Sequence, residues 1–326
     1  MQRFKNILFV LGDSGFSGIA AQNAVHLART NRARLTAVDV LQGDGYNRRY
    51  KQSSSVKFNG IEQMLIYERQ KELEQSLTEA AFDIKIDVQV LTGKKFIEVI
   101  HCVQRDKIDL VIKEVEEDKR LSAVLFGSTD LRLLRKCPCP VWLVKPEAAA
   151  KNTKILAAVE LESIDDEGQL NQLNQKIIEI ASSMAHQGNS ELHIVNAWIV
   201  FEGGSLAKKL SKQYREDIAE WVAEQKIGIA KAQSELKRIF EDHLNKQNLN
   251  GLNYTFHFPE GIAEEVIVDL AEQLKVDVIV MGTVARTDLA GLLVGNTSEA
   301  ILNQIGCSVL AIKPPGFVSP VTGEKR

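Results

Sequence analysis

The sequence is short of several things, and each shortage removes a class of function. Its 326 residues carry a formal net charge of only -3. That charge gives no electrostatic argument for nucleic-acid binding, which usually requires a basic face or stripe. No run of about 18 apolar residues occurs, so no membrane span is expected. Four cysteines (Cys102, Cys137, Cys139, Cys307) in this context read as reduced core thiols rather than a disulfide framework. The start, Met1 to Lys5, runs straight into the strand-like Ile7 to Leu11 and shows no secretory pattern, so a cytoplasmic location is expected. None of the six histidines forms a His-x3-His pair. There is no Gly-x-Ser-x-Gly elbow, no Walker loop and no G-x-G-x-x-G. No catalytic residue and no metal ligand set is therefore assigned, although a zinc site built from distant positions stays open.

What the sequence does contain is a repeat. Lys107 to Pro146 aligns without a gap on Lys275 to Pro314, at a constant offset of 168 residues, with eleven of forty positions identical. Lys107/Lys275, Asp109/Asp277, Gly127/Gly295, Thr129/Thr297, Cys139/Cys307 and Lys145-Pro146/Lys313-Pro314 anchor the match. The starts agree as well: Ile7 to Val10 corresponds to Ile155 to Ala158, each a short apolar run suited to a strand buried on both faces. In both copies strands alternate with helical stripes, which predicts a parallel, doubly wound sheet with helices on both faces. Two domains follow, 1–147 and 152–326, joined by a short linker around Ala148 to Ala150. The closing strands, Val141 to Val144 and Val309 to Ile312, are natural pairing edges and predict a pseudo-dimer of the two halves.

Ligands of open parallel sheets bind at the carboxyl ends of the strands. In copy two that place holds Met281-Gly282-Thr283-Val284-Ala285 and then Gly295-Asn296-Thr297-Ser298. Gly282 and Gly295 let backbone amides approach an anion. Asn296, Thr297 and Ser298 would start a helix whose positive end faces it. This arrangement resembles the phosphate loop of the universal stress protein family, Gly-x2-Gly-x9-Gly-[Ser/Thr], in its tandem-domain form. Copy two departs at two of the four positions, with Ala285 for Gly and Asn296 for Ser or Thr. The resemblance implies two Rossmann-like, adenine nucleotide alpha hydrolase-like domains, with ATP as the candidate ligand of domain 2 alone. It further implies that Glu160 takes the place of the ribose-binding Asp, with Ala158 two residues before it. Ala197 and Met281 fall where the family contacts adenine. Copy one has Glu114 and Glu117 where copy two has Gly282 and Ala285, and those carboxylates would repel a triphosphate. Copy one is therefore expected not to bind ATP in the family manner.

Cys137-Pro138-Cys139-Pro140 invites a metal or redox reading. Cys139 aligns with Cys307, however, which has no second cysteine near it in the sequence, and core packing is favoured. The basic and aromatic stretch 46–55 reads as a solvated loop, with a lid over an anionic ligand as the other reading. Leu210, Tyr214, Ile218, Trp221, Val222 and Ile227 give a helix an apolar face expected to pack on the core or to border an apolar cavity. The functional expectation is a non-catalytic stress-response or signalling protein with a small-molecule site in domain 2. It would pair its domains intramolecularly and could form a homodimer, without nucleic-acid or membrane partners. The alternatives are a slow ATPase or ATP-gated switch, and a binding module for a nucleotide-sugar or lipid-like metabolite.

Overall fold

The structure, a computed structural model, describes residues 4–41, 56–80, 82–116, 126–146, 153–160, 170–200, 212–283 and 296–322. The chain divides into two compact units. The first comprises residues 1–151 and 283–326, and the second residues 152–282. The last strand of the sequence is thus counted with the first unit.

The first unit runs β1 (Asn6–Val10), α1 (Ile19–Asn31), β2 (Arg34–Leu41), α2 (Val56–Glu79), β3 (Ile86–Thr92), α3 (Lys95–Asp106), β4 (Leu110–Glu114), α4 (Ser128–Lys136) and β5 (Val141–Val144). Its strands lie in the order β3-β2-β1-β4-β5, all parallel. The strand Ser308–Ile312, β10, lies antiparallel to β5 and matches Val309 to Leu143 and Ala311 to Val141. The closing strands of the two repeats therefore do pair.

The second unit contains β6 (Lys154–Ala158), α5 (Gln172–Gly188), β7 (Glu191–Val195), α6 (Lys212–Gln247), β8 (Tyr254–His257), α7 (Ala263–Leu274) and β9 (Val278–Gly282). Its strands are parallel in the order β9-β6-β7-β8. Among the described residues no helix is long and apolar enough to cross a membrane.

The identities shared by the copies have a structural cause. Asp109 holds the start of β1, its carboxylate accepting from the Lys5 and Asn6 amides at 2.7 and 3.2 Å. Asp277 holds the start of β6 in the same way, accepting from the Thr153 and Lys154 amides at 2.7 and 2.9 Å. Lys107 and Lys275 each end a helix in the left-handed region, at φ 51° and 53°. That turn lets the following residue bond back into the helix, Ile108 to Val103 and Val276 to Ala271. Helix end, turn and clamped strand form one device, used twice.

The apolar face expected of the long helix is not packed on the core: Ile218 and Val222 are half-buried and its other described residues are exposed. The second half of α6 buries Leu236, Phe240 and Leu244, but Tyr214, Trp221 and Ile227 in its first half are 62%, 43% and 69% exposed. Length explains this. A 36-residue helix extends about 54 Å, whereas strands of four or five residues span only about 17 Å. Leu210 and the stretch 46–55 lie outside the described residues.

The β7 and β8 strands also bring His193 Nδ1 within 3.1 Å of His257 Nε2. Burial pushes both imidazoles below the ordinary histidine value of 6.5, and for His257 the neighbouring His193 adds to the effect. The unfolded chain therefore binds more protons than the native one below about pH 6.5. Stability is complete above that value and is lost as the pH falls through the depressed native values. We expect the urea midpoint of the native chain to drop more between pH 7.5 and 5 than that of a His257→Gln variant. Equal drops would show that the pair does not titrate in this way.

Candidate functional site

The carboxyl edge of the second unit's sheet is built by three adjacent strands. Register places Ala157 beside Val280 and Ala158 beside Val195, so the ends of β9, β6 and β7 line up. Along this edge lie Ala158 (half-buried), Glu160 (exposed), Ala197 (half-buried), Met281 (buried) and Gly282 (half-buried). These five sequence-predicted residues are brought to one edge. The backbone there is tied down: the Val159 amide donates to the Val195 carbonyl at 3.0 Å, and the Asn174 side chain donates to the Glu160 carbonyl at 3.0 Å. A Cβ at Gly282 would meet Leu173 Cδ2 at 2.9 Å, so any larger residue there requires the Leu173 side chain to shift.

Asn196 was not among the predicted residues and is the most informative one on the edge. It is 3% exposed, and its Nδ2 donates to the Val159 carbonyl at 3.0 Å. Its Oδ1 is buried with no hydrogen-bond partner among the described residues. A buried acceptor left unpaired costs about 1–3 kcal/mol, which a donor on a ligand or a water would recover. One Asn after a strand gives no periodic or spacing signal.

The remaining predicted residues are placed differently. Ala285 and Gly295 lie outside the described residues, as does Glu117 of copy one. Asn296, Thr297 and Ser298 do start a helix, α8 (Asn296–Leu302), but it belongs to the first compact unit. Thr297 is exposed and Ser298 half-buried.

The corresponding edge of the first unit is occupied by its own side chains. Glu114 ends β4 and is 7% exposed, with Oε2 accepting from Ser14 Oγ. It lies against two glycines: a Cβ on Gly12 would be 3.2 Å from Glu114 Cβ, and one on Gly18 would be 2.6 Å from Glu114 Oε2. Beside it Lys113 is completely buried. Its ammonium donates to the Glu114 carbonyl at 2.7 Å and pairs with Asp130 Oδ1 at 2.9 Å and Glu116 Oε1 at 3.3 Å. Lys95 closes the network on Glu116 at 2.9 Å. Asp130 Oδ2 also accepts from the Gly127 amide at 3.1 Å, so α4 has its own carboxylate at its N-terminus.

Two carboxylates in this network respond oppositely. Burial raises Glu116, but the Lys113 and Lys95 ammonium groups outweigh it and hold the acid below the usual range. Burial raises Asp130 more than Lys113 lowers it. Shifted by the repeat offset, Lys113, Glu116 and Asp130 become Met281, Val284 and Ser298. The whole charge set is present in one copy and absent from the other, and that joint change is a signal the sequence carries.

The comparisons agree with this two-copy architecture. The family model described as "Universal stress protein family" matches twice, at residues 3–145 and 154–313. The chain belongs to the universal stress protein family. A curated relative from Salmonella typhi, universal stress protein E, is 31% identical over 336 residues, covering 98% of each chain. A functionally unknown protein from Pseudomonas aeruginosa PAO1 shares the fold at a TM-score of 0.64 and 25% identity, covering 96% of this chain and 94% of that one. A universal stress protein from Archaeoglobus fulgidus aligns at a TM-score of 0.61 and 15% identity, over 94% of this chain and 98% of that one, and shows the fold alone. The tandem of universal stress protein domains, each an α/β fold with a mostly parallel sheet, is therefore the architecture of this protein.

Proposed function

We propose that this universal stress protein acts in the stress response by binding one small ligand at the carboxyl edge of its second unit, with no chemistry performed on it. The observation that carries this reading is the contrast between the edges. In the first unit the Glu114 side chain lies against Gly12 and Gly18. In the second, Gly282 stands at the matching position and carries no side chain to fill it. An adenine nucleotide suits this edge: Ala158, Ala197 and Met281 offer apolar contact for a base. Glu160 supplies a carboxylate for a ribose hydroxyl. The first unit is the one that has given up a ligand, its network of Lys113, Asp130, Glu116 and Lys95 standing where an anion would otherwise sit.

The test moves the first copy's residue into the second. Mg-ATP titrated calorimetrically into the full chain should bind at one site, and Gly282→Glu should weaken it at least about tenfold, since a carboxylate there opposes the phosphates. Circular dichroism checks that the variant is folded. No heat and no thermal stabilisation in either protein would remove the nucleotide reading. Equal binding by both would move the site elsewhere.

A further inference from the structure

The Cys-Pro-Cys-Pro run has a geometry that core packing alone does not call for. Helix α4 ends at Lys136 and is capped by Cys137, whose amide donates to the Leu133 carbonyl at 2.9 Å. The chain bends at Pro138 and Cys139 before entering β5, and the bend turns the two sulfurs toward each other at 3.6 Å. Cys137 is 0% exposed and Cys139 7%.

Next to them is a lysine that lacks what buried lysines normally have. Lys313 follows β10 and is 1% exposed. Its ammonium donates to the Leu134 carbonyl and, at 3.0 Å, to Thr283 Oγ1, and it lies 5.0 Å from the centre of the Phe317 ring. All of these are neutral. Among the described residues no carboxylate pairs with it. A buried ammonium without an anion is costly unless it loses its proton or finds a counter-charge. Burial lowers Lys313 to about 8, while the two cysteines push it up. Burial raises the Cys137 thiol, but the hydrogen bond from Cys139 and the Lys313 charge outweigh it and bring it down. Burial and the neighbouring Cys137 push Cys139 well up, so it stays a thiol. Two adjacent sulfurs and one buried ammonium are thus assembled within the first unit.

We propose that Cys137 and Cys139 form a dithiol site that a small hydroperoxide oxidises to an intramolecular disulfide, with Lys313 as its proton donor. The Cys137 thiolate attacks the distal peroxide oxygen and the O–O bond breaks. The departing oxyanion takes a proton from the Lys313 ammonium and leaves as an alcohol, or as water from hydrogen peroxide, giving a sulfenic acid at Cys137. The Cys139 sulfur then attacks Cys137. The S–S bond forms, the S–O bond breaks, and the hydroxide takes the Cys139 proton and departs as water. The two sulfurs together lose two electrons, which the peroxide gains. Lys313 ends neutral, as its buried surroundings favour once the thiolate is gone.

The experiment treats the native full chain with hydrogen peroxide and reads the tryptic peptide that begins at Cys137 by mass spectrometry, with free thiols blocked first. The expected result is a 137–139 disulfide in the wild type and a trapped sulfenic acid at Cys137 in Cys139→Ser. Lys313→Met should slow the reaction at least about tenfold, because each unit by which a thiol pKa rises above the ambient pH costs tenfold in thiolate. Disulfide formation only after unfolding in urea would overturn the proposal. So would oxidation confined to Cys307, or a Lys313→Met variant that reacts at the wild-type rate. If Lys313→Met does not fold, the alkylation rate of native wild-type Cys137 decides instead. A rate whose pH midpoint lies below that of an ordinary cysteine supports activation by the lysine, and a midpoint at or above it overturns the proposal.

Discussion

Replacing Lys113 by methionine is expected to destabilise the chain by about 3–5 kcal/mol, because it removes one partner of a buried ion network and leaves the others behind. Lys113 and Asp130 are both completely buried. Glu116 would keep Lys95 at 2.9 Å, so the loss falls on Asp130, left with only the Gly127 and Glu116 amides as donors. The urea midpoint should fall with little change in slope. Two further results separate this cause from simple loss of packing. Without Lys113, burial and the nearby Glu116 charge raise Asp130 further, so the deficit should narrow as the pH is lowered. Adding Asp130→Asn to the variant removes the stranded charge and should recover much of the stability. A deficit that is constant with pH and not recovered by Asp130→Asn would mean that the network contributes only through its volume.

This network marks the boundary of what could be read before the fold was known. The offset of 168 residues was enough to set Glu114 against Gly282 and Lys107, Asp109 against Lys275, Asp277. The strands and their alternation with helices were equally plain, because buried parallel strands are short apolar runs. Lys113 gave no comparable cue: within Leu110-Val111-Ile112-Lys113-Glu114 it reads as the exposed end of a strand. Its partner Asp130 comes from the start of the next helix, and only the return of that helix onto β4 brings the charges to 2.9 Å. Asn196 was hidden for the same reason, since an acceptor becomes informative only when burial leaves it unpaired. The sulfur pair was visible, but its lysine was not, because Lys313 lies 176 residues from Cys137 in the chain.

The long helix of the second unit provides the other large expected effect, and also a sharp contrast. Periodicity gives α6 an apolar face along its length, but it cannot say what covers that face. Phe240 is completely buried, with ring centroids 4.9 Å from Tyr254 and 5.5 Å from Phe256, both edge-on. Truncation to alanine removes the ring from a site closed by β8 and the rest of the helix, and should cost about 3–5 kcal/mol. Trp221, on the same helix, is 43% exposed, and Trp221→Ala should alter stability by no more than about 0.5 kcal/mol. Urea unfolding of the two variants beside the wild type reads both numbers. A small loss at Phe240 would mean that the aromatic cluster is not what anchors the helix. A loss of several kcal/mol at Trp221 would mean that something covers the first half of α6 in solution. Its apolar residues would then belong to an interface, and the exposure of Tyr214, Trp221 and Ile227 would be a property of the isolated chain only.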